Sequence, residues 1–305
     1  METDPRKGVL LTLKYFDLFD YPLKSEEIFR WFFSIDGEAG GKGGIDDVLD
    51  FLVREGRVEV QNGFYFLLGR EGITSQRQKR EEISLLKIRK ARWVARFISL
   101  IPGVKMIAVC SNLGYLNADE EADIDFFVVS EVGKIWRVRF WSVFLMKIFG
   151  QRPSKRTIKN KICLSYFVTE DNLNLEATAI GEPDIHLIYL LSQYLPIYSE
   201  NGCWEEFISA NDWTGKYLPN FRYRQEAERF LIKPKFLWLK NFFTLFSKWP
   251  TEQTYKKIQL RIMPEVLKNI MNNGDKKVIV SEAMLKLHSN DKREEVNKKL
   301  LISTS

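Results

Sequence analysis

The chain has 305 residues, a formal net charge of +6 and 45% hydrophobic residues, so it is long enough to bury the cores of two or three domains. The N-terminus lacks the apolar stretch of a signal peptide, and no apolar run reaches the roughly eighteen residues of a spanning helix. The mild positive charge permits a phosphate-bearing ligand without requiring nucleic acid. These features predict a cytoplasmic protein that does not enter a membrane.

Cysteine and histidine are scarce. Cys110, Cys163 and Cys203 are odd in number and widely spaced, which indicates buried thiols in a reducing compartment. The only histidines are His186 and His288, so neither zinc sites nor histidine-based catalytic triads are expected. A metal ion in this protein is expected to bind oxygen ligands.

Residues 1–72 are predicted to form a winged helix-turn-helix-like domain. Helical periodicity and N-terminal caps indicate three helices, and an Asn-Gly turn between two short apolar runs indicates a hairpin. The elements are helices over Lys7–Phe19, from Ser25 and over Ile45–Arg54, then strands over Arg57–Gln61 and Phe64–Leu68 around Asn62-Gly63.

The third helix of this module would be the one to enter a DNA groove. It carries Asp46, Asp47 and Asp50, with Glu55 at its end, against Arg54 alone. A surface of net negative charge is repelled by the phosphate backbone. We therefore expect a protein-contact or substrate-positioning role here, and DNA binding is not expected.

Residues 75–180 are predicted to form a core with a mixed sheet. A long helix comes first; its apolar stripe is expected to pack on the sheet and its basic side to be solvated. The predicted elements are a helix over Ser75–Leu100, strands over Val104–Val109 and Ile124–Val129, a helix over Val132–Phe149 and a strand over Ile162–Val168.

Asp123 and Asp125 stand at the beginning of the second core strand. Because side chains alternate along a strand, both carboxylates point the same way while Ile124 points into the core. Two like charges this close are stabilised by a hard divalent cation with oxygen ligands, and Mg²⁺ brings phosphate oxygens with it. The alternative is that the two acids only mark an exposed strand end.

This stretch resembles the DNA polymerase beta type nucleotidyltransferase superfamily, whose signature is an apolar strand, Gly-Ser, a spacer, and Asp-apolar-Asp or Asp-apolar-Glu. Here Ser111 is followed by eleven residues before Asp123 and Asp125. The resemblance implies that Asp123 and Asp125 bind Mg²⁺ and act in catalysis. It also implies that Ser111, Asn112 and Gly114 bind the nucleotide.

The chain departs from the superfamily pattern at two positions. Cys110 replaces the Gly before the Ser, which adds a side chain where the backbone would approach a triphosphate. In relatives a third carboxylate projects from the next strand, but Ile162–Val168 contains no acid, and its inward positions are Cys163 and Ser165. The acids that could replace it lie downstream, at Glu170, Asp171 and Glu176.

A basic segment lies between the second core helix and the third core strand. Residues 152–161 include five cations in ten positions. Such a loop can neutralise a triphosphate or an RNA end, or it can be a solvated surface loop, and the sequence leaves both open.

Residues 181–305 are predicted to be helical throughout, with the last thirty as an exposed helix and a frayed tail. The apolar run Phe236–Phe246 is interpreted as a buried helix or a contact in a homo-oligomer, in preference to a membrane-surface helix. The whole arrangement resembles a group of uncharacterised bacterial proteins that couple a winged-helix-like module to a nucleotidyltransferase domain. Their tail carries an Asn-x-Trp and Leu-Pro-Asn segment, here Asn211–Trp213 and Tyr217–Asn220.

The sequence thus predicts an α+β protein with a mixed-sheet nucleotidyltransferase core. The favoured function is Mg²⁺-dependent transfer of a nucleoside monophosphate from an NTP, ATP being the expected donor, to an unknown acceptor. The main alternative is a catalytically lapsed fold that acts as a binding, antitoxin-like or regulatory protein. A DNA-binding regulator led by the N-terminal module is a third hypothesis.

Overall fold

The computed structural model describes residues 4–153, 157–223, 225–233, 238, 240, 250–274, 276–289 and 291–302. Most of the predicted apolar run at 236–246 and residues 154–156 of the basic segment lie outside these ranges. Over the described residues the chain forms a mixed α+β fold with eleven α-helices, a three-stranded sheet and a six-stranded sheet.

The N-terminal module contains three helices and the small sheet. Its elements are α1 (Pro5–Asp17), β1 (Leu23–Lys24), α2 (Ser25–Arg30), α3 (Lys42–Arg54), β2 (Val58–Gln61) and β3 (Phe64–Leu67). The strands pair antiparallel in the order β1-β3-β2. Asn62 and Gly63 both have positive φ, 54° and 77°, as the tight turn of a two-residue hairpin requires. The predicted hairpin is therefore confirmed.

The central region supplies three adjacent strands of the large sheet. Its elements are α4 (Ile73–Ile98), β4 (Val104–Val109), α5 (Ser111–Gly114), β5 (Ile124–Ser130), α6 (Ile135–Ile148) and β6 (Ile162–Thr169). Strand β5 pairs antiparallel with β4 and parallel with β6. The three predicted core strands and both flanking helices are present close to their expected bounds.

The C-terminal region contains both helices and strands. Its elements are α7 (Ile185–Ser192), β7 (Leu195–Ser199), α8 (Cys203–Ala210), α9 (Glu252–Ile262), α10 (Glu265–Asn269), β8 (Val278–Val280), β9 (Met284–Leu287) and α11 (Arg293–Ile302). The prediction of helix throughout 181–305 is therefore wrong. Strands β7, β8 and β9 are three to five residues long, and so short an apolar run has no periodicity that separates strand from helix.

The large sheet has the strand order β7-β4-β5-β6-β9-β8. Strand β7 pairs with β4 and β9 pairs with β6, so strands from the end of the chain flank the central three on both sides. Alternating residues of β5 bury on opposite faces: Ile124, Phe126 and Val128 join the cluster that includes α4 and α6, whereas Phe127 and Val129 join the cluster that includes α7 and α8.

The N-terminal module packs on the C-terminal helices. Its apolar cluster includes Ile188 and Tyr189 of α7 and Val296 and Leu300 of α11. Tyr15 of α1 stacks on Tyr189 with ring centroids 4.0 Å apart. The module and the core therefore share one buried apolar cluster.

A buried ion pair also joins the module to α4. Arg77 donates to both carboxylate oxygens of Glu27 at 2.7 and 2.8 Å, and its guanidinium lies 4.0 Å from the ring centroid of Tyr21. The expectation that the basic side of this helix is simply solvated is wrong for Arg77, which is buried.

Over the described ranges no helix combines the length and the apolar character needed to cross a membrane.

Candidate functional site

The predicted carboxylates lie at one edge of the large sheet, where β4 ends and β5 and β6 begin. Asp123 directly precedes β5, and Asp125 is its second residue. Because β5 and β6 are parallel and in register here, Cys163 of β6 lies beside Asp125. One ligand atom from each of Asp123, Asp125 and Cys163 lies within 4.8 Å of the other two.

These side chains open onto a cavity of about 500 Å³. Four of the five predicted site residues line it: Ser111, Asn112, Asp123 and Asp125. Gly114, the fifth, does not; it lines a second cavity of about 700 Å³. The structure thus brings the two acids and the Ser-Asn pair together and places Gly114 elsewhere.

The turn at Ser111 is the strained part of the site. Ser111 has φ of +55°, a left-handed conformation that costs a residue with a β-carbon about 1–3 kcal/mol. Cys110 has φ of −132°, which is extended backbone open to any residue, and its side chain is buried. Cysteine in place of glycine therefore introduces no backbone strain at position 110.

Gly114 is required by packing. A β-carbon built on Gly114 would lie 2.0 Å from the carbonyl oxygen of Gln193, at the end of α7. The absence of a side chain at this position lets α5 approach α7 closely, and this approach helps to fix the turn that carries Ser111.

The two carboxylates resist ionisation. Burial raises the pKa of Asp123, and repulsion from Asp125 raises it further. Burial also raises the pKa of Asp125, against the opposing effect of hydrogen bonds from Cys163 and Ser111. A cation placed between the two groups would remove this cost, since it favours the charged form of both.

Strand β6 carries a thiol and a hydroxyl at the positions where the sequence resemblance implies a third acid. The Cys163 thiol donates to Ser165 Oγ at 3.3 Å, and Ser165 Oγ lies 2.8 Å from His288 Nε2. The three downstream acids offered as replacements do not line the cavity; they are Glu170, Asp171 and Glu176. Glu170 pairs instead with Lys105 at 3.3 Å.

His288 is a site residue that the sequence did not reveal. It follows β9 directly and lines the cavity with Asp123 and Asp125. Burial lowers the pKa of its imidazole, so the ring is neutral near pH 7. Its partner Ser165 is 123 positions away in sequence, and only the pairing of β9 with β6 brings the two together.

Lys87 of α4 fixes the segment that precedes Asp123. Its ammonium donates to the carbonyl of Ala122 at 2.7 Å, to that of Glu120 at 3.2 Å and to Asn160 Oδ1 at 2.6 Å. Its side chain is buried, and burial lowers its pKa. Lys87 is therefore a positioning residue, although the sequence placed it on a solvated face.

The described part of the basic segment does not line the cavity. Lys159 pairs with Glu121 at 2.7 Å, and Lys161 donates to the carbonyl of Gly150. The cations that do line it come from the C-terminal region, and two of these, Lys286 and Arg293, both pair with Asp291.

The carboxylate pair fits Mg²⁺. This ion is commonly held by one or two carboxylates, keeps several waters and takes its remaining ligands from substrate phosphates. Asp123 and Asp125 supply such a pair beside an open cavity. A thiol is a poor ligand for so hard an ion, so Cys163 would contribute nothing to Mg²⁺ binding.

No protein-family model, curated protein or solved structure matches the chain. Function therefore has to be inferred from the geometry and chemistry of the site itself.

Proposed function

We propose that this chain is a nucleotidyltransferase of the DNA polymerase beta type. It would transfer a nucleoside monophosphate from an NTP, with ATP as the expected donor, to a hydroxyl or phosphate acceptor. Pyrophosphate would be the second product.

One observation carries this proposal. The strained Ser111 turn after β4 and the acid pair of β5 face the same cavity of about 500 Å³. Strained backbone is retained where the surrounding structure holds it, and such positions are concentrated at functional sites. A turn that can bind phosphate, next to two carboxylates that can bind Mg²⁺, would supply what nucleotidyl transfer requires.

Within this proposal each residue has a defined task. Asp123 and Asp125 would hold Mg²⁺, and the bound ion would neutralise charge on the phosphate oxygens. The Ser111 hydroxyl, which is hydrogen-bonded to Asp125 without the ion, would then donate to a terminal phosphate, and Asn112 lines the same cavity. Lys87 keeps the segment before Asp123 in place through its bonds to Ala122 and Glu120.

The reaction also needs a base that takes one proton. The oxygen of the substrate hydroxyl bonds to the α-phosphorus, the bond from that phosphorus to the bridging oxygen of pyrophosphate breaks, and the proton of the hydroxyl passes to the base. We assign that task to Nδ1 of His288, because the neutral ring lies in the cavity and, in the tautomer that carries its proton on Nε2, is oriented by the 2.8 Å hydrogen bond from Nε2 to Ser165 Oγ. The winged-helix-like module is proposed to position the acceptor.

A second candidate, a catalytically lapsed binding protein, is favoured by one feature. Cys163 stands beside Asp125 where the resembled superfamily implies a third carboxylate. A protein of this kind would bind ATP and transfer nothing.

Labelled nucleotides separate the two candidates. We expect that the protein incubated with Mg²⁺, cell extract and each NTP labelled on the α-phosphate will label an acceptor. The same NTP labelled on the γ-phosphate should label nothing, because pyrophosphate leaves. Label from the γ-phosphate would instead indicate phosphoryl transfer and would contradict the proposal.

Two variants complete this experiment. Asp123→Asn should abolish labelling, whereas Glu121→Gln should label like the parent. Glu121 is a matched control because it is an exposed acid two residues earlier and, among the described residues, forms its ion pair with the surface Lys159. ATP binding without any labelling by the parent would favour the lapsed protein.

A further inference from the structure

The cluster of Asp123, Asp125 and Cys163 contains one possible ligand atom that Mg²⁺ would not use, the sulfur of Cys163. The Cys163 thiol lies within 4.8 Å of a carboxylate oxygen from both Asp123 and Asp125. We propose that, in the absence of nucleotide, these three side chains together bind a thiophilic divalent cation of the Zn²⁺ class more tightly than they bind Mg²⁺, whose binding at Asp123 and Asp125 is coupled to the NTP phosphates. The inference goes beyond nucleotidyl transfer and needs only this cluster.

The donor set favours such an ion. Zn²⁺ takes thiolate sulfur at about 2.3 Å and carboxylate oxygen at about 2.0–2.2 Å, and three protein ligands with one open position are typical of its non-structural sites. Ligand atoms around a tetrahedral ion of this size are separated by roughly 3.3–3.7 Å. The present spacing meets this after small side-chain rotations, since all three residues are on or beside adjacent strands.

The surroundings of the thiol are those of a metal ligand. Ser165 Oγ lies 3.3 Å from Cys163 Sγ and 2.8 Å from His288 Nε2. Once the thiol has lost its proton to solvent, the Ser165 hydroxyl can donate to the sulfur, and the Nε2–H of neutral His288 can donate to Ser165 Oγ. Outer groups of this kind fix the ligand and tune the affinity of metal sites.

The sequence argued the other way, because so few histidines and cysteines suggested a site made of oxygen alone. The parallel pairing of β5 with β6 changes this, since it places Cys163 directly beside Asp125. Whether a thiol can join the site therefore depends on where the cysteine lies on its strand, and less on how many cysteines the chain has.

The test uses Co²⁺, because a thiolate bound to Co²⁺ gives a charge-transfer absorption band in the near ultraviolet and oxygen ligands do not. The full chain, stripped by a chelator and free of nucleotide, is titrated with Co²⁺. We expect this band to appear and to be removed by one equivalent of Zn²⁺. Removal by Mg²⁺ should need a concentration on the order of 100-fold higher or more.

Three variants test whether the sulfur that binds Co²⁺ is that of Cys163. Cys163→Ser should lose the band, and Cys163→Asp should lose it while gaining affinity for Mg²⁺, because its donor set is all carboxylate. Cys203→Ser is the matched control: it removes another buried thiol, on α8, and should keep the band. Circular dichroism of each variant reports whether it is folded.

Two results would overturn the inference. One is the absence of the band from the parent at any Co²⁺ concentration. The other is a band that persists in a folded Cys163→Ser or Cys163→Asp protein. Neither result bears on nucleotidyl transfer, which is measured separately with nucleotide and Mg²⁺.

Discussion

At the scale of single residues, the site depends on close packing as much as on charge. Ser111 is held in a left-handed conformation, and Gly114 lets α5 lie directly against the end of α7. A sequence pattern shows that a serine and a glycine are present. It does not show that one of them carries strain and that the other is needed for contact with Gln193.

Gly114→Ala should destabilise the fold by about 1–3 kcal/mol, because its β-carbon would overlap the Gln193 carbonyl and force a backbone shift. Chemical denaturation measures the free energy of unfolding. Gly44→Ala is the control: it makes the same change inside α3 with open space around it, and should be neutral or stabilising by about 0.5–1 kcal/mol. Equal effects of the two substitutions would refute a packing role for Gly114.

His186 gives the protein a pH-dependent stability. Burial lowers the pKa of His186 to about 4, against the opposing attraction of Asp184 and Asp291, and its Nδ1 lies 3.0 Å from the Tyr15 hydroxyl. The unfolded chain therefore binds a proton near pH 6.5, whereas the folded chain does not until about pH 4. The contribution of His186 to stability is present above pH 6.5 and is lost as the pH falls towards 4.

His186→Gln should remove this contribution. Asp123 and Asp125 titrate in the opposite sense, since their raised pKa values make the folded state bind protons first. The informative quantity is therefore the difference in unfolding free energy between parent and variant from pH 7 to pH 4. We expect it to change by on the order of 2 kcal/mol, a value reduced because the ring is partly exposed. A difference that stays constant with pH would contradict the assignment.

At the scale of elements, α4 connects the N-terminal module to the segment that carries Asp123. Arg77 reaches back to Glu27 in the module, and Lys87 holds the carbonyls of Glu120 and Ala122. A helix that looks basic and solvated in sequence is thus a structural link between two parts of the molecule.

Lys87→Met should cost about 1–3 kcal/mol of stability, because the carbonyls of Glu120 and Ala122 and the side-chain oxygen of Asn160 each lose the buried ammonium as a donor. It should also weaken ATP binding, because the segment before Asp123 loses its anchor. Lys79→Met is a suitable comparison on the same helix: Lys79 is exposed, and its ion pair with Glu120 at 3.5 Å lies at the surface and is worth about 0–1 kcal/mol. Denaturation and calorimetry on both variants test this. Equal effects of the two substitutions on stability and on ATP affinity would show that the bonds of Lys87 to Glu120 and Ala122 are dispensable.

The sequence predicted those elements whose pattern is local. The hairpin at Asn62-Gly63, strands β4, β5 and β6 and the acid pair all follow from periodicity or turn chemistry over a few residues. The remaining parts depend on contacts distant in sequence. His288 reaches the site only through the pairing of β9 with β6, and Lys87 is buried only because the segments around Ala122 and Asn160 cover it.

At the scale of the whole molecule, the sheet is completed by the end of the chain. Strand β9 pairs with β6 beside the site, and Leu285 within it is fully buried in the core cluster that includes α4 and α6. The C-terminal region is therefore part of the core. This distinguishes the structure from the exposed helix and tail that the sequence suggested.

Leu285→Ala should destabilise the protein by about 2–5 kcal/mol, as expected when a fully buried leucine is truncated. Leu68→Ala removes the same atoms from an exposed leucine and should change stability little. Thermal or chemical unfolding measures the stability of both variants. A small effect of Leu285→Ala would mean that β9 contributes little to the core.

We propose that Asp123 and Asp125 form a metal-dependent nucleotide site next to the Ser111 turn. Calorimetric titration of the whole protein with ATP and Mg²⁺ tests this site. We expect ATP binding by the parent and by Glu121→Gln, and none by a folded Asp123→Asn protein. Equal ATP affinity of Asp123→Asn and the parent would contradict the proposal.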